Sequence, residues 1–566
     1  MGSLTLFAGV ALLTLAAPFE LTEPLVRLPR QSISSLETVV LVAFAAWAVA
    51  IVHTRRLPEW RTPLTAPWIA LIAAMIVASL ASPVSRVNAL HMTGRLGAAF
   101  GIYLLTVNGV TTRGRLRIVL ALALGVGLLV ALLAILEFLG VSAVLSWLKA
   151  FRPGVATVGA QVRAGGPLQY PTIASMYLEV VFALGLGALL AALDARRTAA
   201  VVAIFAALAI VAEGIVVTFT RAGLVTVAAS LAMVAATRVS WRGIDRGARL
   251  VGALAVVVAA LFLTSRSAGS MWLRLTTEGQ ESWYRAAIVA PDDVALATGA
   301  NAVVPITVTN TGRLAWDSTA SPPILLSYHW LGADGDRFVA FEGARTAFTR
   351  VIEPNDTIVV DARVHPPQQP GRYRLEWDLV QEGQLWFSTE PGAVRRMSRA
   401  AVTGGVGDAP AAALIAPPTP TIRPGRFELW RAAARMIATH PIVGVGPDNF
   451  RLAYGAYAGL AFADTRTHSN NMYLEMLAGG GLLAFAAFAW LLWRATDCVA
   501  RGLRLAARCG NAVAAGIAAA AIAIALHATV DSFLSFAPTY VLFSLTLGCA
   551  VASTRGVENR LDANRV

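Results

Sequence analysis

This chain is poor in the residues that usually announce chemistry. Among 566 residues there are three cysteines, Cys498, Cys509 and Cys549, and seven histidines. The cysteines fall in what reads as the last basic loop and the last apolar run, so neither a disulfide framework nor a cysteine-ligated metal site is available elsewhere. Charged residues make up only 14%, and the acidic ones are scarcer, 33 against 46 Lys and Arg. Between the apolar runs the carboxylates do not gather into the clusters that a Mg²⁺ or Mn²⁺ site needs, so no metal and no other cofactor is expected. No basic residue precedes the first apolar run, and Pro18-Phe19-Glu20 makes a poor cleavage site, so this run is expected to remain a helix rather than leave as a signal peptide. The positive charge is scattered over short loops instead of lining one face, which argues against nucleic acid as a partner.

Apolar residues, by contrast, are 57% of the chain. They form runs of about 17–25 residues, long enough to cross a bilayer as helices. Spans are expected at 3–19, 36–52, 67–83, 95–110, 116–140, 173–193, 199–218, 222–237, 250–264, 473–493, 511–530 and 537–553. This is an all-α polytopic membrane protein of about twelve helices by that reading. The loops at 53–66, 111–115, 194–198, 238–249 and 494–510, with the C-terminal tail, are the arginine-rich set. The positive-inside rule therefore puts both termini in the cytoplasm and the remaining loops outside the cytoplasmic membrane.

One outward segment changes character. Over 286–392 short alternating runs appear at Ala302–Thr309, Ile324–Trp330, Thr357–Val364, Tyr373–Val380 and Leu385–Phe387, separated by turns such as Asp334-Gly335 and Pro370-Gly371. That spacing predicts an antiparallel β-sandwich, inserted between a membrane domain at 1–264 and the rest. VTNTG…W followed by PGRYRLEWDLV resembles immunoglobulin-like modules found beside carbohydrate-active domains. Trp316, Trp330, Trp377 and Trp386 suit sugar stacking, although aromatic side chains more often fill such a core. Residues 401–425 read as a Gly-, Ala- and Pro-rich linker.

The chain then returns to the membrane through a polar island, 426–472, before the last helices and tail at 473–566. Arg426 opens a helix, GRFELWRAAARMI, whose Trp430 and Met436 suggest an apolar face lying on the membrane. His468 precedes Ser469, Asn470, Asn471 and the next span. Arg221, in VVTFTRAGL, must lie at the outer edge of two spans, and Arg163, in VRAGGPLQYP, sits in an outward loop. Asp531 follows His527 at the outer end of another span. Ionisable groups at such depth are costly and mark candidate sites. Arginine is always charged and bidentate, suited to a pyrophosphate, and histidine accepts a proton near neutral pH. Together they suit transfer of a sugar chain from a polyprenyl pyrophosphate to an acceptor hydroxyl without a metal. His440-Pro441 ends a helix, and Gly444-Val445-Gly446 reads as a tight turn.

The run from Arg426 through HPIVGVGPDNF to HSNNMYLEMLAGGGLLAF closely resembles the C-terminal signature of the O-antigen ligase and polymerase family. TRAGL resembles that family's Ser/Thr-Arg element, and VRAGGPLQYP its Arg-x-x-Gly-x-x-x-x-Pro segment. The resemblance implies that His468 is the catalytic base and that Arg221 and Arg426, with Arg163, bind the donor pyrophosphate. Asp531, Asn470 and Asn471 are supporting residues by the same resemblance. It implies a lipid-pyrophosphate glycan donor and a glycan, lipid or protein acceptor. The β-insert departs from the family pattern, and Gln169-Tyr170-Pro171 lacks its Pro-Asn pair, which leaves the acceptor open. A transporter or flippase of lipid-linked sugars, with an outward receptor domain, is the alternative.

Overall fold

The structure, a computed structural model, describes residues 2–563 apart from 29–30, 56, 153, 159–160, 241–242, 266–267, 277–281, 321, 336, 384, 391–392, 405–423, 461–462 and 510–511. The chain divides into two compact units, one made of Met1–Ala156, Val162–Met271 and Arg426–Val566, the other of Thr157–Gln161 and Trp272–Gly425.

The first unit is helical, and a helix covers each of the twelve expected segments. Among the described residues, seven helices are long and apolar enough to cross a membrane: Ser35–Thr54, Arg113–Phe138, Pro171–Asp194, Thr198–Val217, Arg246–Thr264, Met472–Arg504 and Ala537–Thr554. Ser3–Ala16, Thr65–Leu80, Arg221–Ala236 and Val513–His527 are apolar but shorter. At 1.5 Å per residue these reach only about 21–24 Å, short of a hydrocarbon core of about 30 Å. Arg86–Gly109 is long enough but carries Asn88, His91 and Arg95 in its first half. The first helix packs inward through Val10 and Leu13, both fully buried.

Pro171–Asp194 is the central helix, buried along most of its length. The Ala-rich helix Val513–His527 lies against it, and a Cβ added at Gly187 would meet Gly516 Cα at 2.9 Å. Small residues at that crossing let the two backbones approach as packed membrane helices do.

Among its described residues the second unit contains two sheets built from 286–403. One runs, in order, Phe338–Ala340, Ile324–Gly332, Gly371–Gln381, Arg396–Thr403 and Asp293–Ala297, with Leu385–Trp386 also pairing Gly371–Gln381. The other runs Thr357–Val364, Ala302–Asn310 and Ala286–Val289. Every pairing is antiparallel except Arg396–Thr403 with Asp293–Ala297. Alternating residues of both sheets, including Ile306, Leu326, Val360 and Leu379, meet in one apolar core. Trp316, Trp330 and Trp377 belong to that core and are at most 2% exposed, which removes them as sugar-stacking platforms. Trp386 is half-buried, with the Arg345 guanidinium 4.7 Å from its ring centroid.

The five expected strand runs are present, but the sheet extends past residue 392. Arg396–Thr403 alternates only Ser398, Ala400 and Val402 inward, a pattern too small-sided to read as a strand from sequence. The expected linker at 401–425 accordingly begins as strand, and its stretch 405–423 lies outside the described residues.

Helix Met472–Cys509 is broken at Gly481, whose φ 64° and ψ −171° are non-helical. The break leaves backbone groups without helical partners, and the segment 441–446 supplies them. Val445 N–H donates to Ala478 O and Gly446 N–H to Gly479 O, both at 2.9 Å; Leu482 N–H donates to Pro441 O at 2.8 Å and Leu483 N–H to Ile442 O at 3.1 Å. The Gly-Val-Gly turn is thus a strand-like splint across a broken helix. A side chain at Gly481 demands a backbone conformation reserved for glycine, and its Cβ would lie 2.3 Å from the Ile442 carbonyl. Gly481→Ala is expected to destabilise the protein by about 1–3 kcal/mol, read as a lower thermal midpoint in detergent. An unchanged midpoint would mean that the loop is not docked on the helix.

Candidate active site

The polar island is anchored from three sides. Helix Arg426–Thr439 buries Leu429, Ala432, Ala433 and Met436 against Val445, Phe450, Tyr454 and Ala478. Its apolar face therefore packs inside the protein rather than on the membrane, a correction that follows from the second short helix, Phe450–Ala458, folding back over it. Trp430 is half-buried and donates through Nε1 to Ser469 O at 3.1 Å, tying Arg426's helix to the histidine loop. Asn449, fully buried, donates to Ser82 Oγ at 2.8 Å and Ser85 O at 3.0 Å, and accepts from Asn88 at 3.0 Å. His440 stands just past the helix end, its Nδ1 3.0 Å from Thr439 Oγ1, consistent with the structural role read from His-Pro.

His468 sits at the centre of the island with its side chain 13% exposed. Its Nδ1 lies 3.3 Å from Glu475 Oε1 and 3.9 Å from Asp448 Oδ1, and its ring meets Phe536 edge-on at 5.8 Å. Burial alone would push the imidazole pKa down. The Glu475 carboxylate, with Asp448 and Asp531, outweighs it and raises the pKa above its ordinary value. Glu475 Oε2 also accepts from Ser469 N–H at 2.9 Å, and Asp448 Oδ2 from Arg451 Nε at 2.9 Å. Asn471 caps the following helix, its Oδ1 accepting from the Tyr473 and Leu474 N–H groups at 3.0 Å, and its Nδ2 donates to Thr529 O at 3.0 Å. Asn470, with φ 51°, makes the turn that aims His468.

Two carboxylates beside His468 overturn the sequence expectation that the outward segment offers no such cluster. Asp448, His468 and Glu475 present ligand atoms all within 4.8 Å of one another, a set able to hold a metal ion. They were missed because Asp448 lies in the Gly-Pro-Asp-Asn turn and Glu475 one helical turn beyond the loop, twenty-seven residues apart in sequence. The signal was Glu475's place in the first turn of its helix, seven residues after His468.

Arginines from distant segments come within electrostatic reach of Arg163. Arg163 donates to Thr218 O at 3.2 Å and to Thr220 Oγ1 at 3.3 Å, so it is bolted to the turn that starts the Arg221 helix. Its loop is fixed from below by Glu137, whose Oε2 accepts from the Gly165 and Gly166 N–H groups at 3.0 and 2.9 Å and which also pairs with buried Arg152. Burial, then the charges of Arg426 and Arg221, bring the Arg163 guanidinium down to about 10, with Asp531 opposing. Burial pushes the Asp531 carboxyl up, against the pull of His527, His468 and Arg426. Arg163, Arg221, Arg426, Asp531 and His468 thus share one electrostatic neighbourhood. Phe219, Asp448 and Asn470 hold φ of 55°, 60° and 51°, and each adjoins a member of it. Non-glycine residues in that region are strained and gather at functional sites.

The O-antigen ligase family model matches residues 405–489, the stretch that holds Arg426, Asp448, His468, Glu475 and the helix break. No curated protein matches the chain. Among solved structures, the Pseudomonas fluorescens alkylpurine DNA glycosylase AlkC, bound to DNA containing an abasic site analogue, aligns at 11% identity and a TM-score of 0.12, over 59% of this chain and 97% of that one. Superposition that poor carries no argument about fold or function. Over 405–489, then, the chain is similar to the O-antigen ligase family.

Proposed function

We propose that the protein is an inverting glycosyltransferase that moves a glycan from a polyprenyl-pyrophosphate carrier to an acceptor hydroxyl at the outer face of the cytoplasmic membrane. The observation that supports this reading is that Arg426 and Arg221 act electrostatically on Arg163, while Arg426 and a carboxylate-held histidine lie in the segment matched by the ligase family. A guanidinium under the influence of two others suits a multiply charged anion, and guanidinium geometry suits phosphate oxygens. Twelve membrane helices, cytoplasmic termini and an outward immunoglobulin-like insert complete the proposed topology.

The chemistry follows from which nitrogen is left. Glu475 engages His468 Nδ1, so Nε2 is the nitrogen offered to the acceptor. It takes the hydroxyl proton as the oxygen attacks the anomeric carbon. The carbon–oxygen bond to the carrier breaks on the opposite side, and the arginines stabilise the pyrophosphate that leaves. Glu475 and Asp448 stabilise the imidazolium formed, as a carboxylate does in a catalytic triad. The carboxylates already accept hydrogen bonds from Ser469 N–H and Arg451, which supports a proton-holding role over a cation cage.

His468→Ala or Arg426→Ala in purified protein, given a polyprenyl-pyrophosphate glycan and candidate acceptors, is expected to lower transfer by about 10²–10⁴-fold. Transfer at the wild-type rate in both variants would remove these residues from the mechanism. EDTA is expected to leave the wild-type rate unchanged; inhibition reversed by Mg²⁺ or Mn²⁺ would instead make Asp448, His468 and Glu475 a metal site. Movement of intact lipid-linked glycan across a vesicle, with no new glycosidic bond, would favour a transporter.

The pH dependence has a defined sign. A base must be neutral to act, and the carboxylates favour the charged imidazole, so wild-type activity rises with pH through a value above the ordinary 6.5. Glu475→Gln removes the leading favourable charge and is expected to move that rising limb to lower pH. A limb that stays in place in the pH–rate profile would dissociate Glu475 from His468.

A further inference from the structure

A second glutamate–histidine pair lies deeper, and the mechanism above does not use it. Glu179, on the central helix, and His527, last residue of Val513–His527, are at most 1% exposed. His527 Nδ1 lies 3.0 and 2.8 Å from the two Glu179 oxygens. The Gly187–Gly516 crossing, where the two backbones nearly touch, brings these side chains together. Glu179 is held in turn by the Ser175 hydroxyl.

The other ring nitrogen is left over. His527 Nε2 is buried and has no hydrogen-bond partner among the described residues. Leaving a buried polar atom unmatched costs about 1–3 kcal/mol, which a ligand atom would recover. The position of the pair identifies that ligand. The start of the Arg221 helix rests on Glu179: a Cβ at Gly223 would lie 2.5 Å from Ser175 Oγ and 3.1 Å from Glu179 Oε1. Asp531 N–H donates to His527 O at 3.0 Å, and the charges of Asp531 and Arg426 act on the ring. His527 therefore lies near the arginine cluster, where an N–H left over suits an anion.

We propose that the Glu179 carboxylate and a His527 imidazolium form a neutral buried pair whose free Nε2–H donates to a phosphate oxygen of the carrier pyrophosphate. This rests on reading the arginine cluster as the donor site. Glu179 supplies the counter-charge that a buried cation requires, and as an imidazolium both ring nitrogens are donors. No proton is transferred. Nε2–H replaces one hydrogen bond that the phosphate loses with water, and it fixes the donor at a point the flexible arginine side chains do not.

The test is calorimetric titration of the full chain in lipid nanodiscs with farnesyl pyrophosphate and, separately, inorganic pyrophosphate. Wild type should bind both, the lipid form more tightly; binding of neither overturns the donor-site reading and this inference together. His527→Gln places an amide N–H where Nε2 stood and should stay within about threefold of wild type. Glu179→Gln/His527→Phe keeps the volume without a buried charge and should weaken binding by about tenfold or more, as loss of a charge-assisted hydrogen bond does. If the double variant does not fold, Glu179→Gln alone removes only the charge and should weaken binding while preserving the thermal midpoint. Wild-type affinity in the folded double variant, or in Glu179→Gln where the double variant does not fold, overturns this inference. Arg426→Ala weakening the same titration would at that point leave the donor site standing without His527.

Discussion

The structure depends on satisfying backbone hydrogen bonds where little water is available. Inside an apolar slab every N–H and C=O must be paired, so a helix can break only where something else supplies partners. Gly481 breaks helix Met472–Cys509, and 441–446 pairs with the exposed groups on both sides of the break. That pairing fixes the middle of the polar island. Asn449, buried among Ser82, Ser85 and Asn88, fixes it again three residues on. Trp430 ties the island's first helix to Ser469 O, beside His468, which stands against Glu475 at the start of the same broken helix.

The second constraint is charge. Arg426 and Arg221 act on Arg163 across segments that are far apart in the chain. Each is positioned by uncharged scaffolding or by a carboxylate at its back: Arg163 by Thr218, Thr220 and the Glu137-held loop, Arg221 by the turn at Phe219, Arg426 by a helix buried on Met436. Asp531 opposes them at Arg163. His468 and His527 each have Nδ1 held by a glutamate. The proposals above give His468, whose side chain is 13% exposed, to the acceptor and the buried His527 to the leaving phosphate.

Much of the fold was readable because its physics is local. Twelve helical segments follow from run length and hydropathy, and five strands from alternation. Arg396–Thr403 escaped because its inward residues are small, and the inward packing of Met436 escaped because an amphipathic stripe looks the same whether protein or lipid covers it. In the site, Arg163, Arg221, Arg426, His468 and Asp531 stood out because ionisable groups between apolar runs are rare. Asp448 and Glu475 did not, since one looked like part of a turn and the other like an ordinary first-turn helix residue.

By itself, then, the sequence determined the apolar helices, the β-rich insert and which rare ionisable residues stand between the apolar runs, because composition and periodicity act over one helix or strand at a time. Only the tertiary structure decided who partners whom. The Gly-Val-Gly turn became a splint for a broken helix, and two carboxylates came to His468. Glu179 met His527 through a contact between Gly187 and Gly516. These are distance facts between residues tens to hundreds of positions apart, and they follow from close packing, which no local pattern records.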